Sequence, residues 1–236
     1  MIRQRFLLYI GAGTLALGCR VAPPPLLEPA GLNPVPYDSA AAWASRTAPA
    51  RTHAVRFRWR YQDERVRYAG RGMVRVAPPD SLRFDYAGPL GLGAGAAVVL
   101  GDSVAWAEPG DKFRTLVPAV RMLWAALGTV RAPPHAVVWG RAELGADQTR
   151  WLWRFIDGMD TLDYAFTARV SGEGGLDAEW RRRGKVLARS RTAWGVDRVP
   201  TAARIDFPDS PAWFELTVVG VDTVAVIPPA LWRAQR

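Results

Sequence analysis

The sequence predicts a mainly β protein: one curved antiparallel sheet or open barrel, interrupted by a short helical insert. Three observations predict it. Many short runs alternate apolar and polar side chains, the period of a strand with one buried face. Turn signals such as Asp63-Glu64, Pro78-Pro79-Asp80 and Gly184-Lys185 separate those runs at hairpin spacing. In between, Val117 to Leu127 shifts to helical spacing, with Val120, Leu123, Trp124 and Leu127 on one face, Pro118 in the first turn and Gly128 past the end.

The chain opens with Arg3 and Arg5, followed by an uncharged apolar stretch from Phe6 to Leu17. That is the layout of a secretory signal peptide, and a helix spanning a bilayer needs about 20 residues. Cys19, the sole cysteine, follows Leu15-Ala16-Leu17-Gly18. The segment resembles the bacterial lipobox, which implies that Cys19 is lipidated (palmitate among its acyl chains) and becomes the mature N-terminus. Ala16 departs from the leucine usual there. Arg20 fits outer-membrane placement, since in lipoproteins an aspartate after the cysteine favours inner-membrane retention. No cysteine remains for a disulfide, so the exported fold stands on its own core. The chain carries 31 Lys+Arg against 22 Asp+Glu, a net charge of +9. Losing residues 1–18 removes Arg3 and Arg5 and leaves +7. An exported, lipid-anchored, basic protein is expected to meet acidic membrane surface and not nucleic acid. Three segments follow: a lipoprotein signal peptide over 1–18, the lipidated cysteine and a Pro-rich tether over 19–37, and one domain over 38–236.

Val21 to Pro36 is proline-rich and reads as an extended tether. Asp38 or Ser39 can cap a short helix through Ala40 to Ala44. In Ala54 to Tyr61, apolar Val55, Phe57, Trp59 and Tyr61 alternate with Arg56, Arg58 and Arg60. Arg65 to Val76 continues the alternation, with Gly70 and Gly72 on the apolar side where a bend or a close approach is expected. Ser81 to Asp102 reads as two strands around the turn Gly88-Pro89-Leu90-Gly91-Leu92-Gly93. Loops are normally polar because they sit in water, so Leu90 and Leu92 need either a packing partner or an apolar target outside the protein. Ser103 to Glu108 is a strand with Val104 and Trp106 on one side, and Pro109-Gly110-Asp111 turns into a further extended segment, Phe113 to Leu116. After the helix over Val117 to Leu127, Pro133-Pro134 can open a second short helix to Trp139-Gly140. Strands are then expected at Thr149–Ile156, Leu162–Val170, Leu176–Arg183, Val186–Trp194, Ala202–Phe207, Ala212–Val221 and Val224–Ile227.

Catalytic chemistry finds little support. The two histidines, His53 and His135, have no cysteine partner once Cys19 is lipidated, and no Gly-x-Ser-x-Gly elbow exists. Asp157, Asp160 and Asp163 lack the glycine and terminal glutamate of a calcium loop. The glycines at 91, 93 and 95 precede a strand, whereas a phosphate-binding loop needs a helix N-terminus. No catalytic residue, metal or cofactor is expected. The arginines of the alternating strands allow two readings: a solvated outer face, or a face against anionic lipid, where each basic residue is worth about 1 kcal/mol. The opposite face is either a packed core or a pocket for an apolar ligand.

The lipobox, the Pro-rich tether, the short helix, the strand and turn LRFDYAGPLG, the helix PAVRMLWAALG and the Pro-rich segment ending in Trp139-Gly140 together resemble the LolB-like outer-membrane lipoproteins of the LolA–LolB superfamily. The resemblance implies a half-open β-barrel lidded by short helices, with an apolar cavity that takes the acyl chains of lipoproteins. It implies a cavity lined by Phe57, Trp59, Tyr68, Leu82, Phe84, Tyr86, Val98, Trp106, Leu123 and Trp124. It implies a membrane-inserting loop at Leu90 or Leu92. The protein would face the periplasm from the inner leaflet of the outer membrane, receiving cargo from a LolA-like periplasmic carrier without enzymatic chemistry. The abundance of Trp and Arg and the tail Ile227 to Trp232 depart from the family pattern. Two alternatives stay open: a lipid- or glycolipid-binding or envelope-sensing lipoprotein of the same fold without a delivery step, and an envelope hydrolase.

Overall fold

The computed structural model describes residues 24–28, 30–89, 93–223 and 226–233. Among them, thirteen strands form a single sheet in which every neighbouring pair is antiparallel. The first half comprises β2 (His53–Gln62), β3 (Arg67–Ala77), β4 (Ser81–Ala87), β5 (Gly95–Leu100) and β6 (Ser103–Glu108). The second comprises β7 (Val137–Leu144), β8 (Gln148–Asp157), β9 (Asp160–Arg169), β10 (Gly174–Arg182), β11 (Lys185–Trp194), β12 (Pro200–Phe207) and β13 (Ala212–Thr223). Each half is a run of hairpins, and the halves join where β13 pairs with β2. β6 forms one edge, and the short β1 (Asn33–Pro34) lies on β7 at the other, so the sheet stays open.

This topology leaves one long connection, residues 109–136, to carry the chain from the β6 edge back to β7. It holds α2 (Gly110–Leu116) and α3 (Arg121–Ala126), while α1 (Tyr37–Ser45) sits at the far edge. The helices cover the concave face. Trp43 of α1 meets Trp151, Trp153 and Phe166 at 6.0, 5.3 and 5.4 Å between ring centroids. Phe113 of α2 meets Phe84 at 5.9 Å, and α3 is buried from Met122 to Ala126.

Alternation holds along the strands. In β2, Val55, Phe57, Trp59 and Tyr61 are buried and Arg56, Arg58 and Arg60 are exposed. The two glycines of β3 do what their place predicts. Gly72 pairs with Phe57 and Gly70 with Trp59; a Cβ at 72 would lie 2.4 Å from the Phe57 ring, and one at 70 would lie 2.8 Å from the Trp59 ring. Tyr86 over Gly95, Trp153 over Gly140 and Trp194 over Gly174 repeat the device. The rings therefore lie against bare backbone, which lets large aromatics line the inside of a curved sheet.

The structure corrects four expectations. Phe113–Leu116 is helical: Phe113 and Leu116 stand three apart and are both buried, which suits a helix face and not a strand. The helix expected from Val117 begins only at Arg121, because Val117 precedes Pro118 and takes φ −136°, outside the helical region. The second helix expected at Pro133–Gly140 is a turn at Pro134-His135 followed by β7, where Val137, Val138 and Trp139 suit a strand. Finally, the strand expected at Val224–Ile227 does not form at Val226 and Ile227, while 224 and 225 lie outside the described residues; β13 instead runs on to Thr223.

The convex face holds a further departure. The segment expected to be a free tether packs on it: Leu27 and Leu32 are buried against Leu152 and Ala165. Beneath them, Arg154 donates to both carboxylate oxygens of Asp163 at 2.7 and 2.8 Å and to the Leu27 carbonyl at 2.7 Å. Arg181 also pairs with Asp163, and Arg189 pairs with Glu179 and donates to the Pro24 carbonyl. Asp163 and Glu179 are both fully buried. The C-terminal segment covers the other flank. Arg83 donates to the Leu231 carbonyl, and Trp106 Nε1 donates to the Trp232 carbonyl at 2.9 Å.

Candidate lipid-binding face

The concave face is built from two aromatic patches. Under α2, Phe84 is in ring contact with Phe57 at 5.3 Å and with Phe214 at 6.1 Å, and Phe214 reaches Trp59 at 6.2 Å. Under α1, the cluster of Trp43, Trp151, Trp153 and Phe166 continues to Trp194, 4.9 Å from Phe166. The first patch belongs to β2, β4 and β13 and the second to β8, β9 and β11, and α3 packs on the second half of the sheet against β10, β11 and β12.

α3 is tied to both halves of the sheet. Trp124 Nε1 donates to the Gly101 carbonyl in the β5–β6 turn at 2.7 Å, and Thr192 Oγ1 of β11 donates to the Ala125 carbonyl at 2.7 Å. Arg121 at the start of the helix stands 3.4 Å from Asp102 and 3.5 Å from Asp160, and stacks over Trp180 at 5.7 Å. Arg182 donates to Asp160 from the other side at 2.8 and 3.0 Å, and this hydrogen bond holds the Asp160 carboxyl below its ordinary value of 3.8. Arg131, after the helix, stacks over Trp124 at 5.2 Å and faces Asp102 at 3.6 Å. A neutral hydrogen bond contributes about 1 kcal/mol net, so a handful of such ties holds the lid without welding it. Beside α3 a cleft of about 410 Å³ opens onto the concave face, bordered by Thr47, His53, Leu127, Phe166, Trp194 and Pro200.

Of the candidate cavity residues, Phe57, Trp59, Leu82, Phe84 and Tyr86 are buried on the concave wall. Burial, and then the charge of Asp111, raises the pKa of Tyr86. Its hydroxyl has no hydrogen-bond partner among the described residues. Tyr68 lies on the same face but is half exposed, stacked on Tyr61 at the rim. The Tyr61 hydroxyl donates to Asp63, and burial followed by that hydrogen bond pushes its pKa up to about 12. Leu123 and Trp124 belong to the lid and not to the wall.

Val98 and Trp106 are on the opposite, convex face, a correction with a clear cause. Arg83, Val98 and Trp106 are cross-strand partners, and Arg83 stacks over Trp106 at 5.4 Å. A bulge leaves Ala105 unpaired, so Val104 pairs with Val99 while Trp106 pairs with Val98, and the two residues no longer share a side.

Trp43, Phe113, Trp153, Phe166 and Phe214 were not among the candidates. The alternation of Trp151, Trp153 and Phe155, and of Leu162, Tyr164 and Phe166, carried the signal for the second patch. Leu90, Leu92 and Cys19 lie outside the described residues. His53 opens β2 and His135 sits in the turn before β7, and among the described residues no group of three His, Cys, Asp or Glu could hold a metal. No described helix is long and apolar enough to cross a membrane.

No family model matches the chain, and no curated protein matches its sequence. Among solved structures, the fold is similar to that of a LolA superfamily protein from Nitrosomonas europaea. The TM-score is 0.54 at 14% identity, covering 85% of this chain and 98% of that one. It is also similar to a domain assigned to an outer membrane lipoprotein-sorting protein from Vibrio parahaemolyticus, with a TM-score of 0.51 at 10% identity, covering 84% of this chain and 98% of that one. The shared feature is the fold: a large open antiparallel sheet with a few helices, of the LolA-like kind.

Proposed function

We propose that the protein is an outer-membrane lipoprotein that binds acyl chains on its concave face and helps to receive lipoproteins and insert them into the membrane. One observation carries the reading: an aromatic, largely apolar wall spans an open sheet and is covered by short helices on the one long connection. Burial of apolar surface is worth about 25 cal/mol per Å², so an acyl chain gains several kcal/mol on such a wall. In this structure Met122, Leu123 and Trp124 of the lid are buried, with α3 lying against β10, β11 and β12. Acyl chains bind by taking the place of those side chains, and the lid side chains return as cargo leaves. The likeness to a LolA superfamily protein and to a lipoprotein-sorting domain supports a lipid-handling role.

In this reading Cys19 carries the anchor that holds the protein on the periplasmic side of the outer membrane. A LolA-like carrier delivers the cargo, and Leu90 or Leu92 leads it into the bilayer. The test is a transfer assay in which a fluorescent acylated peptide moves from the protein to vesicles. Replacing Leu90 and Leu92 with glutamate is expected to abolish transfer while native mass spectrometry still detects bound lipid. Unchanged transfer removes the delivery step and leaves a binding module. An absence of bound lipid in either form overturns the proposal.

A further inference from the structure

The proposed function uses the concave face and leaves the convex one unexplained. Between the N-terminal and C-terminal covers, β2 and β3 expose Arg58, Arg60 and Arg71, whose guanidinium groups have no carboxylate partner among the described residues. Arg58 and Arg71 are direct cross-strand partners. Like charges in that position repel and destabilise a sheet unless something neutralises them. The two border a groove of about 710 Å³, where Arg56, paired with Asp222, and Arg75 and Arg83, both paired with Asp85, join them. Met73 and Val219 give the groove apolar surface. An occupant must therefore supply several anionic oxygens next to apolar surface, the chemistry of a phospholipid headgroup and the glycerol region beneath it.

Two features of the chain direct this face toward a membrane. Pro24 is tied to Arg189 on the convex side, where Pro24, Arg191 and Arg204 border a second groove. Pro24 lies five positions after Cys19, a reach of about 17 Å when fully extended. A lipid at Cys19 thus keeps this face close to the bilayer, a point that rests on the anchor reading above. In addition Ala87, the last residue of β4, pairs with Arg71 and precedes Leu90 by three residues. The arginine groove lies at the base of the turn that carries both leucines.

We propose that the arginine groove of the convex face docks on an anionic phospholipid surface, with Arg58, Arg60 and Arg71 directed at headgroup phosphates. Guanidinium groups suit this task because their planar forks bind phosphate oxygens in pairs.

The experiment is co-sedimentation of the full chain carrying Cys19→Ala, so that the anchor does not contribute. Vesicles of phosphatidylethanolamine and phosphatidylglycerol are compared with vesicles of phosphatidylcholine alone. Binding is expected only to the anionic vesicles and is expected to weaken with added salt. Each of Arg58→Ser, Arg60→Ser and Arg71→Ser should weaken it about fivefold, which corresponds to about 1 kcal/mol per charge at the surface. Lysine at the same three positions should restore most of it, which a loss of fold would not allow. Arg46→Ser, Arg51→Ser and Arg114→Ser, outside the groove, should leave binding unchanged. Equal binding by the serine variants overturns the proposal. A loss confined to Arg46, Arg51 and Arg114 also overturns it and would turn the cleft side to the membrane. Equal binding to phosphatidylcholine, or displacement by inorganic phosphate at constant ionic strength, overturns it as well. The Leu90 and Leu92 variants should keep vesicle binding in this assay, so failure of docking and failure of delivery give different results.

Discussion

The two faces of the same strands obey opposite rules. The concave face is aromatic, and its glycines stand opposite rings so that Phe57, Trp59, Tyr86, Trp153 and Trp194 lie against backbone. The convex face is a lattice of arginines and carboxylates, exposed over β2 and β3 and buried wherever a chain end crosses it. A residue on the concave side is inside because of its strand parity. A residue on the convex side is inside only if a segment distant in sequence lies over it. Asp163 on β9 and Asp177 on β10 belong to the same face, yet Asp163 is fully buried under the N-terminal segment while the Arg191–Asp177 pair stays in solvent.

That contrast can be broken experimentally, beginning with the largest effect. Asp163→Ala leaves the buried Arg154 without its carboxylate and Arg181 with Glu179 alone, and is expected to cost about 3–5 kcal/mol in urea denaturation, since it strands buried charge. The matched change Asp177→Ala, in an exposed pair, should cost under about 1 kcal/mol. Equal losses would show that the N-terminal cover does not exclude water. On the concave side, Gly72→Ala drives a Cβ into the Phe57 ring and is expected to cost about 1–3 kcal/mol through overpacking. A neutral result would mean that the aromatic wall can shift outward.

The lid gives an effect of similar size on stability and an opposite one on binding. Thr192→Val removes the hydrogen bond to the Ala125 carbonyl and should lower stability by about 1–3 kcal/mol while raising the rate of acyl-chain uptake, read by fluorescence of a labelled fatty acid. Slower uptake would count against α3 as a gate. The smallest effect concerns acid. The folded Asp160 pKa is depressed, mainly by the hydrogen bond from Arg182, so its stabilisation is complete above the ordinary value of 3.8 and is lost as pH falls through the lower folded value. Asp160→Asn should flatten the fall of Tm with pH in that acid range and leave the slope near neutrality unchanged. A parallel profile would show that Asp160 does not contribute to the acid limb.

Much of the sheet was legible because parity is local. Val55 to Tyr61 and Leu82 to Tyr86 face inward as their alternation requires, and Gly70 and Gly72 fall opposite rings as their place on the apolar side suggested. Less of the candidate site was legible. Trp106 changed sides through one unpaired residue, Ala105, which alternation cannot register. Phe113 and Leu116 resembled the end of a strand because a four-residue window suits either period. The wall's second patch was visible as alternation in β8 and β9, but nothing in those residues said that Trp43 of α1 would lie on it.

The sequence by itself determined most of the strands, most of their inward and outward sides and the need for a helical crossover, because those follow from side-chain period and turn chemistry within a few residues. Only the tertiary structure decided that the crossover fills the concave face, that the proline-rich segment docks instead of hanging free, and which arginines have no carboxylate partner among the described residues. Those outcomes depend on contacts between residues more than a hundred positions apart, such as Arg154 with Leu27 and Trp106 with Trp232. No local pattern encodes which distant segment will arrive.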